Sequence, residues 1–522
     1  MLHQDNNHLE NNYSLPPGED LYCSDLPTIP IPESGTILVT GASGYIGGRI
    51  VNDILARGYR VRILIRGNAA HYQELWPRAE IVLADALKYE TLHKALKDID
   101  TAFYLIHSLL LGQHQFYDAD IRAAQNFRKA AEENNIKRII YLGGLGDAAA
   151  SLSEHLRSRI HVSDELQQGP VPVTILRAAT IMGSGSASYE IIKHLIKKVP
   201  IISVPKWANT RCQPIAIRDV IKYLVGCLET PATAGKSFDI GGKDILTYRQ
   251  MLEIFADVTG KKRLFLRSPF SRLGFYAYIA SLVTPVPAPI IQSLMEGLKN
   301  EVVCKNDSIK QLIPFETLSY RDAVKKALRR EEQDRVYTRW SDAYPKDHSL
   351  AMKLHELGRI PYYTTTYSIL TDKSAERLYA SICKIGGKEG WFQNNWLWWL
   401  RGMIDRLLMG VGSSRGRRSD VSLKINDVID FWRVEDMNKN KRLLLRAEMK
   451  LPGRGWLEFK IIPEKEINNF SITAYYDTDT VFGMLYWYSF LPFHNIIFND
   501  LIKQIEKRSH AGTRDEGQQV RG

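Results

Sequence analysis

The sequence predicts an α/β doubly wound parallel sheet followed by an α+β domain with an antiparallel sheet. Three observations carry that prediction. From Thr36 onward, short β-branched runs alternate with amphipathic segments. A glycine-spaced turn joins the first run to the first amphipathic segment. Beyond the region around Pro345 the alternation gives way to strand-like runs that follow one another directly.

At 522 residues the chain exceeds one ordinary core, so two or three domains are expected, and an apolar content of 44% suffices to fill them. Its 69 basic and 58 acidic residues leave a net charge of +11, a mildly basic surface that suits phosphates or membrane lipids and lacks the dense basic tail of a nucleic-acid binder. The five cysteines lie far apart without a CxxC or Cys/His cluster, which argues against a metal site or a disulfide framework and fits a cytoplasmic, reducing compartment. Residues 1–33 have neither the basic nor the apolar block of a secretion signal and read as a disordered tail. Two uncharged stretches, Gly274 to Met295 and Thr480 to Asn499, approach the ~20 residues that cross a bilayer. Pro285, Pro287 and Pro289 in the first, and Pro492, His494 and Asn495 in the second, favour buried or interfacial helices. Peripheral membrane contact stays open.

Six runs read as parallel strands: 36–40, 60–65, 79–84, 101–106, 137–143 and 173–178. Between the first two, Ile46, Ile50, Val51, Ile54 and Leu55 recur at helical spacing, and Gly58 supplies a left-handed stop. After the sixth run an irregular stretch with Gly183, Gly185 and several prolines leads to helices at 218–229 and 247–260, a substrate-side lobe completing a domain over 34–330. The charge-dense 331–346 reads as a linker, 347–508 as the second domain and 509–522 as a tail. In the second domain, a helical stretch at 390–412 precedes three strand-like runs, and 482–508 reads as one long helix with a potential break at Pro492.

TGASGYIG directly follows an apolar strand and opens a helix, the arrangement in which backbone N–H groups and a helix N-terminus hold a pyrophosphate. This is the Rossmann pattern. Gly41 allows the tight turn, Gly44 the approach of the phosphate and Gly47 the close packing of helix on strand, with Ser43, Tyr45 and Ile46 lining the turn. The second strand ends at Arg66, where an acidic residue would hold the ribose hydroxyls of NAD; an arginine favours the extra phosphate of NADP, with NAD the alternative. Arg62 either assists or is a solvated strand residue. Asp85, with Ala86 beside it, is placed to meet the adenine edge and also fits an N-cap for the following helix. The glycine- and serine-rich 183–188 reads either as a pocket loop, offering Gly183, Ser184 and Tyr189 to a substrate, or as a connector.

TGASGYIG, the RxLxR strand, LADAL, YLIHSL, AAQNFRKAAEENNIKRIIYLGGLG and ILRAATIMGSGSASYE together resemble the NmrA-like branch of atypical extended short-chain dehydrogenases over about residues 34–330. The resemblance implies binding of NADP(H) or NAD(H), adds Ile106, His107 and Gly143 to the cofactor-side residues, and admits members that do no chemistry. The usual Ser and Tyr-x-x-x-Lys are missing. Gly143 or Gly144 stands at the Ser position, His155 at the Tyr position and Arg159 at the Lys position. A histidine can shuttle a proton and an arginine can hold a ribose, whereas a plain surface His–Arg pair is the structural alternative. A literal Tyr189-to-Lys193 pair comes too late in the chain to suit proton transfer at the nicotinamide.

In the second domain, Trp396, Trp399, Met403 and Leu407 share a helical face that reads as a core or cavity stripe. Arg401, Arg406, Arg415, Arg417 and Arg418 have acidic candidates in Asp405, Asp420, Asp427, Asp430 and Glu435, with an anionic ligand and membrane lipid as alternatives. GWFQNNWLWWLRGMIDRLLMGVGSSRGRR, NDVIDFWRV and LRAEMKLPGRGWLEF resemble the C-terminal domain of YbjT-like bacterial proteins, which lack an assigned activity. The strands and final helix are similar to the helix-grip fold of START-like lipid-binding proteins, which implies a cavity in which Trp396, Phe431, Trp456 and Phe459 face an apolar ligand and Arg417 its polar end. The combined expectation is an NADP(H)-dependent reductase of an apolar carbonyl or quinone-like substrate. The rivals are a non-catalytic NADP(H)-binding sensor or assembly factor and a lipid or quinone carrier at a membrane surface. Neither a metal nor a nucleic acid is expected, and the residues do not set an oligomeric state.

Overall fold

The computed structural model describes residues 21–332 and 354–509 except positions 68, 108–114, 147–152, 287, 387–389, 392–394, 408–411, 413–422, 424, 426 and 465–466. The chain divides into two compact units, one of Met1–Ala280 with Ala288–Pro345 and the other of Ser281–Pro287 with Lys346–Gly522. The main division at Pro345 falls inside the expected linker, most of which lies outside the described residues.

The first unit is built on a seven-stranded sheet of β1 (Thr36–Val39), β2 (Arg60–Ile65), β3 (Glu80–Leu83), β4 (Thr101–Tyr104), β5 (Arg138–Gly144), β6 (Val173–Ala178) and β7 (Ser237–Ile240). Their order across the sheet is β7-β6-β5-β4-β1-β2-β3, and every pairing is parallel. The six expected strands are present; β7, which zips onto β6 from Ser237 to Ile240, is an addition to the expectation. A parallel sheet needs helices on both faces, and the strands alternate accordingly. Ile37, Val39, Ile63 and Phe103 pack on one side with α1 (Gly47–Ala56) and α5 (Ile217–Glu229). Leu38, Leu64, Ala102 and Tyr104 pack on the other with α2 (Gln115–Glu133) and α3 (Glu154–Gln167). Beside the sheet, α4 (Ala187–Lys198) and the helix Tyr248–Val258, which starts in a Thr247/Gln250 capping box, form a smaller core with Tyr189, Met251 and Phe255.

The N-terminal tail is shorter than expected. Residues from 21 onward are ordered: the amides of Tyr22 and Cys23 donate to Asp53 Oδ1 at 2.8 and 2.7 Å, and Cys23 and Leu26 join the core under α1. Composition suggested disorder because the ordering partner, Asp53 on α1, lies 30 residues away. Residues 1–20, like the tail beyond 509, lie outside the described residues.

The second unit carries a six-stranded sheet made of β8 (Tyr363–Thr371), β9 (Val428–Ile429), β10 (Trp432–Asn438), β11 (Arg442–Ala447), β12 (Arg454–Glu464) and β13 (Ile467–Asp477), in the order β8-β13-β12-β11-β10-β9 and antiparallel throughout. One face is apolar: Val434, Leu443, Leu445, Leu457, Phe459, Phe470 and Ile472 pack with α6 (Ala375–Ile382), α7 (Asn395–Leu407) and α8 (Val481–Arg508). Phe431 and Phe459 belong to this filled core, whereas Trp456 points from the opposite face and donates its indole N–H to Glu435 at 3.0 Å. That opposite face buries charge. Arg433 binds Glu448, Arg446 lies 3.6 Å from Glu448 and 3.9 Å from Glu435, and all four side chains are at most 8% exposed.

Two expectations for the helices of this unit change. The inward stripe of α7 runs through Trp398, Gly402 and Asp405, with Trp398 stacked 4.6 Å from Trp391, while Trp396 is 61% exposed and Met403 also faces out. Both phases fit the sequence, and the Trp391–Trp398 stack selects the second. The side chains of Trp399 and Leu407 and all of Arg415, Arg417 and Arg418 lie outside the described residues. Pro492 does not interrupt α8: it and Tyr488, whose carbonyl loses its donor, both face solvent, so water can take the missing bond. Of the outward side chains on the first four turns of α8, none is charged; Val481, Phe482, Leu485, Tyr488, Phe493 and Ile496 dominate. No described helix is long and apolar enough to cross a membrane.

Candidate functional site

The site begins where β1 meets α1. Gly41 takes a φ of 65°, a region costly for any residue with a side chain, and a Cβ there would sit 2.5 Å from the carbonyl oxygen of Leu105. A Cβ on Gly47 would sit 2.2 Å from the Gly41 carbonyl oxygen, so this pair of glycines lets helix and strand touch. Gly44 closes the turn with its amide on Gly41 at 2.9 Å. The N-cap of α1 is Ile46, which offers no side-chain oxygen to the first amides of the helix. A helix N-terminus without a side-chain cap, behind a glycine-tight turn, is a cradle for a pyrophosphate, while the amides of Gly48 and Arg49 already reach the carbonyls of Gly44 and Ile46 at 3.0 and 3.1 Å. The residues present therefore fit a dinucleotide.

Around this turn the expected residues divide. Ser43 and Ile46 are partly exposed on it, and Arg66 is half-buried immediately after β2. Arg62 is committed to Glu80 at 2.7 Å and to the carbonyl of Ala95, so it is a structural strand residue. Asp85 is not an N-cap: the next helix starts at Tyr89 behind Lys88, and Asp85 instead accepts the amide of Leu87 at 3.1 Å, shaping the turn that carries Ala86. Tyr45 turns inward, with its hydroxyl buried where a Cβ on Gly183 would come within 2.7 Å, and burial pushes its phenol up to about 12. Arg49, one turn into α1 and unforeseen, stacks on Tyr45 and donates to the carbonyls of Tyr45 at 2.9 Å and Ser184 at 3.0 Å. Gly183 and Ser184 thus lie against the glycine turn as the inner wall of a loop. Tyr189 does not line an open surface. Its side chain is fully buried against Phe255, burial pushes its phenol far up, and Lys193 is held by Glu190 and Glu331 at 2.7 Å each.

At the ends of β4 and β5 the structure gathers Ile106, His107, Gly143, His155 and Arg159. Arg159 donates to the carbonyls of Leu142 and, at 3.3 Å, Ile106, so its guanidinium ties the two strand ends together. Gly143 and Gly144 leave the strand end without a hydroxyl, and a Cβ on Gly144 would strike Leu156 at 2.9 Å. The His155 ring sits 4.9 Å from that of His107. Burial, followed by the neighbouring His107 and Arg159, pushes the His155 imidazole well below its usual range, which keeps it uncharged at neutral pH and a weak proton donor. His107 Nδ1 lies 3.1 Å from Asp120 Oδ2, on α2, which also accepts from Ser158 Oγ at 3.2 Å. Sequence reasoning missed Asp120. The signal for it was an acid on the apolar stripe of α2, three, four and seven residues before Ala123, Ala124 and Phe127.

A model of the NmrA-like family matches residues 33–312. The chain belongs to the NmrA-like family. Residues 359–501 match a model described as a protein of unknown function, DUF2867. The mitochondrial NADH dehydrogenase (ubiquinone) 1 alpha subcomplex subunit 9 of Arabidopsis thaliana is 22% identical over 301 residues, 54% of this chain and 75% of its own. The ceramide reductase of Caulobacter vibrioides is 24% identical over 241 residues, 45% of this chain and 74% of its own. Among solved structures, a Citrobacter sp. triphenylmethane reductase complexed with NADP(H) aligns with a TM-score of 0.47 at 19% identity, covering 56% of this chain and 99% of that one. As an NmrA-like protein, the chain keeps the glycine turn intact and departs from the short-chain dehydrogenase pattern at the Ser, Tyr and Lys positions, where it has Gly143 or Gly144, His155 and Arg159.

Proposed function

We propose that this protein binds NADP(H) on the turn from Gly41 to Gly47 and reduces a small apolar substrate bearing a carbonyl or quinone. The observation that carries the reading is the capless N-terminus of α1 behind a turn in which Gly41 and Gly47 exclude any side chain, with Arg66 next to β2 to meet the 2′-phosphate. When bound, the dinucleotide supplies a hydride. The chain's own residues position it: the turn holds the pyrophosphate, Asp85 shapes the adenine side, and Arg159 fixes the strand ends beside His107. Membership in a family with NAD(P)-binding reductase relatives supports an oxidoreductase, and a relative named for ceramide supports an apolar, lipid-like substrate.

The test is a titration of the purified protein with NADPH and NADH followed by nicotinamide fluorescence, then NADPH oxidation across a panel of quinones and ketone lipids. Gly47→Val should abolish binding, and tighter binding of NADPH than NADH should weaken in Arg66→Glu. Binding without turnover on the whole panel would sink the reductase reading. One observation favours the rival, a non-catalytic NADP(H) sensor or assembly factor: glycines stand in place of the hydroxyl at the end of β5. Under that reading His155→Ala leaves function in cells intact while Gly44→Asp abolishes it.

A further inference from the structure

We propose that His107, oriented by the buried Asp120, is the proton donor of the reduction, in place of the missing tyrosine; the inference rests on the reductase reading above. His107 follows β4 by three residues, and the Leu105 carbonyl two residues before it is the group that Gly41 approaches. The strand end that leads into His107 therefore meets the glycine turn at the carboxyl end of the sheet, where doubly wound folds bind their ligands. Its Nδ1 faces Asp120 Oδ2 at 3.1 Å. Asp120 is 1% exposed and is held from its other side by Ser158 Oγ at 3.2 Å. A carboxylate on Nδ1 fixes the tautomer: the neutral ring keeps its proton there, and the imidazolium offers its second proton at Nε2.

Nε2 of His107 is buried and has no partner among the described residues, and neither has Nδ1 of the adjacent His155. Two unpartnered nitrogens in a pair of rings 4.9 Å apart mark a place for an oxygen atom. Among the described residues, the charged and titratable groups placed at His107 are Asp120 from α2, His155 from α3 and, on the carbonyl of the preceding Ile106, Arg159 from α3, with Tyr104 and Tyr141 on the strands β4 and β5 behind them. His155 is kept neutral by burial and Arg159 is spent on carbonyls, so among these groups it is His107 that faces a carboxylate. The substrate carbonyl carbon takes a hydride from the reduced dinucleotide, and its oxygen takes the Nε2 proton of His107. The products are the alcohol, the oxidised dinucleotide and neutral His107, which regains its proton at Nε2 from water that enters once the alcohol has left. Asp120 is the positioning residue.

His107→Gln and Asp120→Asn test this in the full-length protein, with NADPH affinity measured first. Both variants should hold NADPH within about 3-fold of the wild type. His107→Gln should lower kcat at least ~100-fold with KM nearly unchanged. Asp120→Asn should lower kcat ~10-fold with KM nearly unchanged. Nitrogen-15 spectra of the ring should show the His107 proton on Nδ1 at high pH in the wild type and a mixture of tautomers in Asp120→Asn. Turnover that survives His107→Gln, or a wild-type ring with its proton on Nε2, overturns the proposal alone. Absence of turnover in a wild type that binds NADPH overturns the reductase reading, and the proposal with it.

Discussion

The two sheets solve the same problem in opposite ways. In the first unit a parallel sheet buries both faces under helices, so its central strand β1 is apolar on both sides: Ile37 and Val39 face one core while Leu38 faces the other. In the second unit an antiparallel sheet buries one apolar face under α6, α7 and α8 and a second face made of Arg433, Glu435, Arg446 and Glu448. The difference teaches where each unit is fragile. The central strand of the first sheet loses stability when volume is removed, and the second sheet also when a charge is left alone, because an ion pair taken out of water must compensate itself.

The largest expected effect follows from that contrast. Glu448→Ala should destabilise the second unit by about 3–5 kcal/mol, read from chemical denaturation, because Arg433 would lose its carboxylate in the interior. Replacing the pair together, Arg433→Met with Glu448→Met, should recover most of the loss; if the double variant is as unstable as the single one, the charged face is held by something other than pairing. Next, Trp398→Ala should cost about 3 kcal/mol in the same unit, whereas Trp396→Ala, on the outward face of α7, should stay within about 0.5 kcal/mol. Equal losses would reverse the assigned phase of the helix.

Asp53 is one of the buried carboxylates of the first unit. Burial, opposed by the amides of Cys23 and Tyr22, raises the Asp53 carboxyl to about 7. A carboxyl whose folded value lies above its unfolded one binds more protons in the native state, so its stabilisation is full below pH ~4 and is lost as pH rises towards 7. Asp53→Asn should therefore raise the melting temperature at pH 8 and change it little at pH 4. His494, pushed down to about 4 by burial, works in the other direction: its contribution to the second unit is present above pH ~6.5 and fades as the solution is acidified. The smallest effect is local. Thr247→Ala removes a capping box from the helix Tyr248–Val258 and should cost about 1 kcal/mol.

Legibility in the sequence followed the same divide. The strands β1 to β6 could be read directly because a sheet buried on both faces writes a continuous apolar run. β7 escaped because SFDI is short and carries Asp239, a buried acid whose partner is Arg177 on the neighbouring strand. The glycine turn was legible since its demand is steric and local. Asp120 and Arg49 were not, because each gains meaning only when α2 or α1 is laid against another segment. The stripe of α7 was misread for the reverse reason. Four tryptophans in nine residues supply two acceptable faces, and only the ring of Trp391 chooses between them.

The outward face of α8 has a consequence for the protein as a solute. Along four turns it offers water no charge with which to repel a neighbour, in a chain whose net charge of +11 is distributed elsewhere. At low ionic strength that charge keeps molecules apart; added salt screens it and lets the apolar faces meet. Light scattering should therefore rise with salt for the wild type and stay flat for Leu485→Lys, so handling conditions for this protein are set by one helix near its C-terminus.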